Sequence, residues 1–167
     1  MSIGWYRPKP QAVGQKAPDF RLESTSGELC LSESVKDGPI IIAFYMGDFG
    51  TTCSWVLSKF RDVWDEIDSR DIRLWAISHD GMSMHRRYNA RMDFPYPLLS
   101  DEDEKVMRDY GCRIENHDIY TGMAGRAVYV IDESGIILYA WAALDDPAQI
   151  PDYKGLMEFI RGFRSPR

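Results

Sequence analysis

The chain has 167 residues, of which 44% are hydrophobic, and this is enough for a single domain with a sizeable core. Its 20 Lys and Arg against 26 Asp and Glu leave a net charge of -6, which excludes a general electrostatic attraction to nucleic acid or to an anionic membrane. The three cysteines form no CxxC pair and no segment is apolar enough to span a membrane, so we expect reduced thiols in a soluble cytoplasmic protein.

The first twelve residues predict an irregular arm ahead of one folded domain. Residues 1–12 contain two prolines, which oppose regular structure, and the aromatic residues Trp5 and Tyr6. We expect these aromatic side chains to pack the arm onto the domain or onto a partner, and we assign the arm no catalytic role. Together with the loop at 141–151, the arm is also a candidate surface for a homodimer. The domain is expected to run from residue 13 to residue 167.

The domain is predicted to begin with a β-hairpin. The stretches DFRLES and GELCLSE alternate apolar and polar residues on either side of the turn signal Thr25-Ser26-Gly27. Cys30 is expected at an inward or edge position of the second strand. The hairpin is expected to be an N-terminal extension of the main sheet.

The rest of the chain alternates strand and helix patterns. Continuous apolar runs predict buried strands at PIIIAFY (39–45), RLWAIS (73–78) and PLLSD (97–101). Apolar residues at spacings of three and four predict one helix through Val56, Phe60, Val63, Trp64 and Ile67. Further helices are predicted at MSMHRRYNARM, EDEKVMRDYG and 153–163, and RAVYVID with GIILYAWA predicts a hairpin. This order indicates an α/β domain with a mixed sheet.

Cys53 is the strongest candidate for chemistry, because it follows a buried strand and a short polar loop and lies at the start of a helix. A thiol reacts as its thiolate, whereas a free cysteine with a pKa of about 8.5 is mostly protonated at neutral pH. The unpaired N–H groups and the dipole of a helix start favour the anion. A nearby guanidinium would add a fixed positive charge, and Arg126, Arg61 and Arg113 are its candidate sources. The alternative is that Cys53 is a small buried core residue.

The other cysteines and the histidines give weaker signals. Cys30 and Cys112 have no helix-start context, so we expect core positions for both. His79, His85 and His117 are spread through predicted loops and helix surface, which favours solvated side chains over metal ligands. The sequence has no phosphate-binding glycine-rich loop and no Ser/His/Asp arrangement. We therefore expect no metal and no cofactor.

From Val13 to Phe163 the chain resembles the peroxiredoxins through an ordered series of motifs. VGQKAPDFRLESTSGELCLSE is similar to the family's opening, IIIAFYMGDFGTTC to the strand and loop that present its reactive cysteine, and SKFRDVWDEI to the next helix. AISHDGMSMH, FPYPLLSDEDEKVMRDYG and RAVYVIDESGII resemble later family blocks in the same order. The resemblance is greatest to the bacterioferritin-comigratory and alkyl-hydroperoxide-reductase-E-like groups.

This resemblance implies a thioredoxin-like fold, in which a central mixed β-sheet is flanked by helices and carries an N-terminal β-hairpin extension. It implies a thiol-dependent peroxidase that reduces hydrogen peroxide and alkyl hydroperoxides without a cofactor. Cys53 would attack the peroxide as a thiolate and become a sulfenic acid, and Arg126 matches the family's active-site arginine. An external thiol, thioredoxin-like or of low molecular weight, would then reduce Cys53. Nucleic acid and membranes are not among the expected partners.

The loop before Cys53 departs from the family pattern Pro-x-x-x-Thr-x-x-Cys. Met46 stands at the Pro position and Gly50 at the Thr position. The hydroxyl groups of Thr51 and Thr52 are candidates to replace the missing one, if Gly50 lets the loop bend differently. An unfilled gap would slow the reaction about a hundredfold. The alternative function is therefore a degenerate relative with weak or no peroxidase activity, acting as a redox sensor or binding module.

The route that regenerates Cys53 stays open. Ser58 stands five residues after Cys53, where the bacterioferritin-comigratory group often has a resolving cysteine. Cys112 is a candidate resolving cysteine if local unfolding brings its sulfur to Cys53, and otherwise an external thiol acts alone. A thioredoxin-type dithiol oxidoreductase would need a second cysteine where Trp55 and Val56 stand.

Overall fold

The computed structural model describes residues 5–164, and within this range the strands form one seven-stranded sheet. The sheet is mixed: β3 pairs parallel with β4 and β4 with β5, whereas the remaining neighbours are antiparallel. The predicted α/β architecture with a central mixed sheet is confirmed. The strands are β1 (Arg21–Ser24), β2 (Gly27–Cys30), β3 (Ile40–Phe44), β4 (Arg73–Ser78), β5 (Leu98–Ser100), β6 (Ala127–Ile131) and β7 (Ile137–Ala142), in the spatial order β2-β1-β5-β4-β3-β6-β7.

The helices pack against this sheet, and one of them differs from the sequence prediction. They are α1 (Leu31–Ser34), α2 (Thr51–Asp62), α3 (Trp64–Asp68), α4 (Met82–Met92), α5 (Lys105–Asp109) and α6 (Tyr153–Gly162). The prediction of one helix through residue 67 is wrong, because the chain leaves helical geometry at Val63, where φ is -103° and ψ is 4°. Both pieces present apolar residues to the same core, so the hydrophobic period continues across the break and does not reveal it.

The sheet separates two hydrophobic cores. Successive side chains of a strand point to opposite faces, so Ile41 and Ala43 of β3 lie in one core and Ile40, Ile42 and Phe44 lie in the other. The first core is covered by α2, α4 and α6 and contains Cys53. The second core contains Cys112. The two cysteines are therefore buried on opposite sides of the sheet.

The N-terminal hairpin and the arm are both joined to the domain. The predicted hairpin is confirmed, and β1 pairs with β5, so the extension continues the main sheet. Tyr6 of the arm is buried, and its hydroxyl donates to the carbonyl of Ala143 at 2.6 Å. Gly125 leaves room for this ring, since a Cβ there would lie 2.3 Å from the Tyr6 oxygen. The arm boundary at residue 12 stays a prediction, and residues 1–4 and 165–167 lie outside the described residues.

Between residues 5 and 164, every helix falls short of the length and hydrophobicity needed to cross a membrane.

Candidate active site

Cys53 lies in the first turn of α2, immediately after the loop that follows β3. Gly50 is the N-cap residue of this helix and has no side chain to cap the backbone N–H groups of the first turn. These donors and the positive end of the helix dipole favour an anion at the helix start. Cys53 is the third residue of the helix and is 5% exposed. The first turn of α2 therefore directs its unpaired donors toward a nearly buried sulfur.

Glycine's backbone freedom is not used at Gly50, contrary to the sequence-based expectation. Gly50 has φ of -67° and ψ of 136°, which any residue adopts. The unusual backbone is at Phe49, whose φ of 61° lies in the left-handed region. The loop therefore turns at Phe49, and the consequence of Gly50 is that the N-cap position has no side chain to accept a hydrogen bond from the first turn of the helix.

Arg126 is the arginine that reaches Cys53. Its Nη2 donates to Cys53 Sγ at 3.4 Å, and its Nη1 donates to the carbonyl of Ala148. The backbone N–H of Arg126 also donates to the carbonyl of Pro147, at 3.0 Å. The residue is 1% exposed, so a fixed and largely desolvated positive charge faces the sulfur.

The other two candidate arginines are engaged elsewhere. Arg61 donates to the carbonyl of Met92 at 2.5 Å and lies over the ring of Phe94. Arg113 forms ion pairs with Glu104 at 2.6 Å and with Glu115 at 2.5 Å. The structure therefore brings Arg126 to the cysteine and places Arg61 and Arg113 in structural contacts.

An apolar cavity of about 520 Å³ opens in front of the cysteine and the arginine. Thr51 and Thr52 line it and are exposed, but no hydrogen bond joins either hydroxyl to Cys53 in the part of the chain described. The reactive loop and Arg126 form one side of the cavity. The other walls come from distant segments, including the arm and the loop before α6, which local sequence patterns did not reveal. Those walls include Trp5, Tyr120, Met123 and Pro147.

Cys112 and Cys30 lie away from this cavity. All three cysteines are free, and Cys112 is buried in the core on the opposite face of the sheet from Cys53. Burial raises the pKa of the Cys112 thiol. Cys30 ends β2, at the far edge of the sheet, and its sulfur lies 3.4 Å from the hydroxyl of Ser32. A disulfide between Cys53 and Cys112 would need a rearrangement that carries one sulfur around or through the sheet.

The expectation of a solvated His85 is wrong. His85 belongs to α4 but is completely buried, and its Nδ1 lies 2.7 Å from Oδ2 of Asp48. His117 is in a surface turn, as expected, where its Nδ1 accepts the N–H groups of Ile119 and Tyr120. The helix pattern alone did not identify His85 as buried, because its partner Asp48 lies in a loop before a different helix.

The fold and the paired cysteine and arginine define a thioredoxin-like α/β domain built for thiol chemistry. Residues 13–140 match the model of the AhpC/TSA family. The chain therefore belongs to this family, and the resemblance to the peroxiredoxins is confirmed.

Individual relatives agree with this assignment. A Coxiella burnetii protein named as a Bcp peroxiredoxin is 30% identical over 146 residues, which cover 86% of this chain and 96% of that protein. The chloroplastic peroxiredoxin Q of Arabidopsis thaliana is 32% identical over 74% of this chain, and the match spans 56% of that protein. The crystal structure of peroxidoxin BcpB from Mycobacterium tuberculosis has a TM-score of 0.77 and 25% identity, and the match covers 92% of this chain and 98% of that one.

Proposed function

We propose that this protein is a thiol-dependent peroxidase that reduces hydrogen peroxide and alkyl hydroperoxides through a sulfenic acid at Cys53. The observation that carries the proposal is the guanidinium of Arg126, 3.4 Å from Cys53 Sγ, at an uncapped helix start. Such a site holds a thiolate and has fixed donors for the charge that moves onto the leaving oxygen.

The chemical step transfers one oxygen atom from the peroxide to Cys53. The thiolate attacks the terminal peroxide oxygen, the S–O bond forms and the O–O bond breaks. The sulfur is oxidised by two electrons to Cys–SOH, and the remaining oxygen leaves as an alkoxide or hydroxide that takes up a proton as an alcohol or water. Arg126 donates hydrogen bonds to the sulfur and to the oxygen that develops negative charge.

The size and lining of the cavity support organic as well as inorganic peroxides. A cavity of about 520 Å³ is much larger than hydrogen peroxide and falls within the usual range for small-molecule sites. Its walls include the ring of Tyr120 and the side chains of Met46 and Met123, which suit an alkyl group. The hydroperoxide end would face Cys53 and Arg126.

We propose that an external thiol regenerates Cys53, with Cys112 in no direct role. One thiol condenses with the sulfenic acid to give water and a mixed disulfide, and a second thiol releases Cys53 and leaves as a disulfide. The position of Cys112 across the sheet supports this one-Cys route over an internal disulfide. A thioredoxin-like protein or a low-molecular-weight thiol fits the role.

Peroxide consumption by Cys53→Ser tests the function directly. We expect rapid consumption by the parent protein in the presence of dithiothreitol, and the uncatalysed rate for Cys53→Ser. Cys112→Ser is the matched control and should retain the parental rate. Consumption by Cys53→Ser as fast as that of the parent would contradict the proposal. A folded parent with no activity would instead support the non-enzymatic alternative.

Mass spectrometry after one equivalent of peroxide separates the two regeneration routes. We expect a Cys53 sulfenic acid, trapped by a dimedone adduct, and no loss of the Cys112 thiol. A disulfide that joins Cys53 and Cys112 would overturn the one-Cys route and leave the peroxidase function intact.

We further propose a cytoplasmic location and a homodimer. Three free thiols suit a reducing compartment. The exposed apolar residues Leu144 and Ile150 of the loop at 141–151 support an interface there. Sedimentation of the purified protein would test the dimer.

A further inference from the structure

A buried aspartate–histidine pair includes one residue of the loop before Cys53 and takes no part in the chemistry above. The side chains of Asp48 and His85 are completely buried, and Asp48 Oδ2 lies 2.7 Å from His85 Nδ1. Asp48 belongs to the loop between β3 and α2, whereas His85 belongs to α4. The pair therefore ties the loop before Cys53 to a separate helix.

Both ring nitrogens of His85 have buried hydrogen-bond partners. Its Nδ1 faces the carboxylate of Asp48, and its Nε2 lies 3.0 Å from the backbone carbonyl oxygen of Leu99. The carbonyl oxygen can only accept, so Nε2 carries a hydrogen, and a single shared proton lies between Nδ1 of His85 and Oδ2 of Asp48. The two side chains therefore satisfy each other in the buried site.

Two more contacts fix Asp48. The hydroxyl of Tyr45 donates to Asp48 Oδ1 at 2.6 Å, and burial, followed by the charge of Asp48, raises the pKa of Tyr45, so the phenol keeps its proton. The backbone N–H of Asp48 donates to Oδ2 of Asp80 at 2.9 Å. Asp48 is thus held by Tyr45, which directly follows β3, by α4 and by the segment after β4.

The backbone next to Asp48 has an unusual conformation. Phe49 has a φ of 61°, in the left-handed region that non-glycine residues seldom adopt. Its ring lies 4.9 Å from that of Tyr88, whose hydroxyl is 2.7 Å from the hydroxyl of Ser54 in α2. The buried hydrogen bond between Asp48 and His85 restrains this part of the loop from a separate helix.

We propose that Asp48 and His85 are a positioning pair for the peroxide reaction of Cys53. By holding residues 46–50, they keep the first turn of α2 aligned with Arg126. The sulfur of Cys53, the first-turn N–H groups and the guanidinium can then contact one peroxide molecule at the same time. Neither residue touches the peroxide. The inference rests on the proposed function and adds to it the residues that set the geometry of the site.

Comparing two reactions of the Cys53 sulfur separates an effect on its alignment from an effect on its general reactivity. Peroxide attack needs the thiolate, the O–O bond and the donors in line, whereas alkylation by iodoacetamide needs only an accessible thiolate. Loss of the pair slows the first reaction and leaves the second nearly unchanged. A general loss of stability would not change the ratio of the two rates in folded protein.

The test measures both rate constants at Cys53 for Asp48→Asn, His85→Gln and the double variant, well below their unfolding temperatures. We expect the ratio of the hydrogen peroxide rate to the iodoacetamide rate to fall about tenfold in each single variant, as small misplacements do. Because the two residues act as one unit, the double variant should stay within about threefold of the single variants.

Tyr110→Phe is the matched control. It removes the hydrogen bond from a buried tyrosine hydroxyl to the carbonyl of Pro18, 2.8 Å long, on the other face of the sheet. We expect it to destabilise the protein without changing the rate ratio. If a variant of Asp48 or His85 does not fold, Tyr45→Phe removes one contact to the same carboxylate and should lower the ratio about threefold.

The outcomes separate this inference from the proposed function. Single variants that keep the parental ratio would overturn the positioning role alone, and so would a double variant that loses the product of the two single effects. A parent protein in which Cys53 shows no preference for peroxide over the alkylating reagent would overturn both.

Discussion

Cys53 and Cys112 are both buried free thiols in one small domain, but their surroundings are opposite. Cys53 has the guanidinium of Arg126 at 3.4 Å and the uncapped start of α2 around it, and a cavity opens beside it. Cys112 is 1% exposed, packs among apolar and aromatic side chains across the sheet, and has a raised thiol pKa because of burial. Burial alone therefore suppresses a thiol, whereas burial with a fixed cation and helix donors prepares one for reaction.

Removing the charge at Arg126 should have the largest effect on this contrast. Arg126→Gln should slow oxidation of Cys53 by hydrogen peroxide about a hundredfold, because a donor aimed at the developing charge is lost. Arg126→Lys should lose about tenfold, since an ammonium keeps the charge but not the planar fork of donors. Stopped-flow kinetics with a single turnover of peroxide would measure both.

Arg61→Gln is the control for this prediction. Arg61 lies in the same helix as Cys53 but donates to the carbonyl of Met92, so its loss should leave the peroxide rate within about threefold of the parent. A larger effect of Arg61→Gln than of Arg126→Gln would mean that the wrong arginine has been assigned to the site.

Adding a hydroxyl at Gly50 should increase the difference in peroxide reactivity between Cys53 and Cys112. A Cβ at this position would meet Cys53 Cβ at 3.7 Å and Cys53 Sγ at 4.0 Å, which are ordinary contacts, and the backbone angles suit any residue. The threonine hydroxyl would then reach the sulfur, and Gly50→Thr should raise the rate of peroxide oxidation about tenfold by adding a donor. The same stopped-flow experiment measures the gain.

Gly50→Val has the same shape as Gly50→Thr without the hydroxyl and is therefore its control. We expect no gain from it. An equal gain in both variants would assign the effect to packing of the loop and would contradict a role for the hydroxyl.

Local patterns were sufficient to predict most of the fold. The apolar run at 39–45 and the alternation around Gly27 follow from contacts that each strand makes along its whole length, so a short window contains the signal. The break at Val63 is absent from the pattern because both helices bury the same stripe. Boundaries set by a single backbone angle are therefore where the sequence prediction failed.

The site was predicted only in part, for a similar reason. Position at a helix start identified Cys53, and the resemblance identified Arg126 among three arginines. The pairing of Asp48 with His85 joins residues 37 positions apart, and no periodic pattern encodes such a contact. The burial of Cys112 on the opposite face from Cys53 depends on the strand order, which local sequence does not contain.

The pH dependence of stability offers the smallest and most specific test of the Cys112 environment. Burial raises the pKa of Cys112. The unfolded chain, whose cysteine has an ordinary pKa of about 8.5, begins to lose this proton near pH 8.5, whereas the native thiol still keeps it. Above that pH the unfolded state binds fewer protons than the native state. The free energy of unfolding then falls as the pH rises, by at most about 1.4 kcal/mol per pH unit.

Cys112→Ala removes this term, so its stability should decline less steeply than that of the parent above about pH 8.5. Below that pH the two proteins should differ by a constant amount, which reflects only the change in packing. Urea unfolding at a series of pH values measures both slopes. The pKa values of the buried Tyr110 and Tyr129 are raised chiefly by burial, which both proteins share, and to a smaller extent by Cys112, so slopes are compared below the pH at which the tyrosines ionise in the unfolded chain, about pH 10. Parallel slopes on the alkaline side would show that Cys112 ionises as readily in the native state as in the unfolded chain, and the contrast with Cys53 would then have to rest on Arg126 alone.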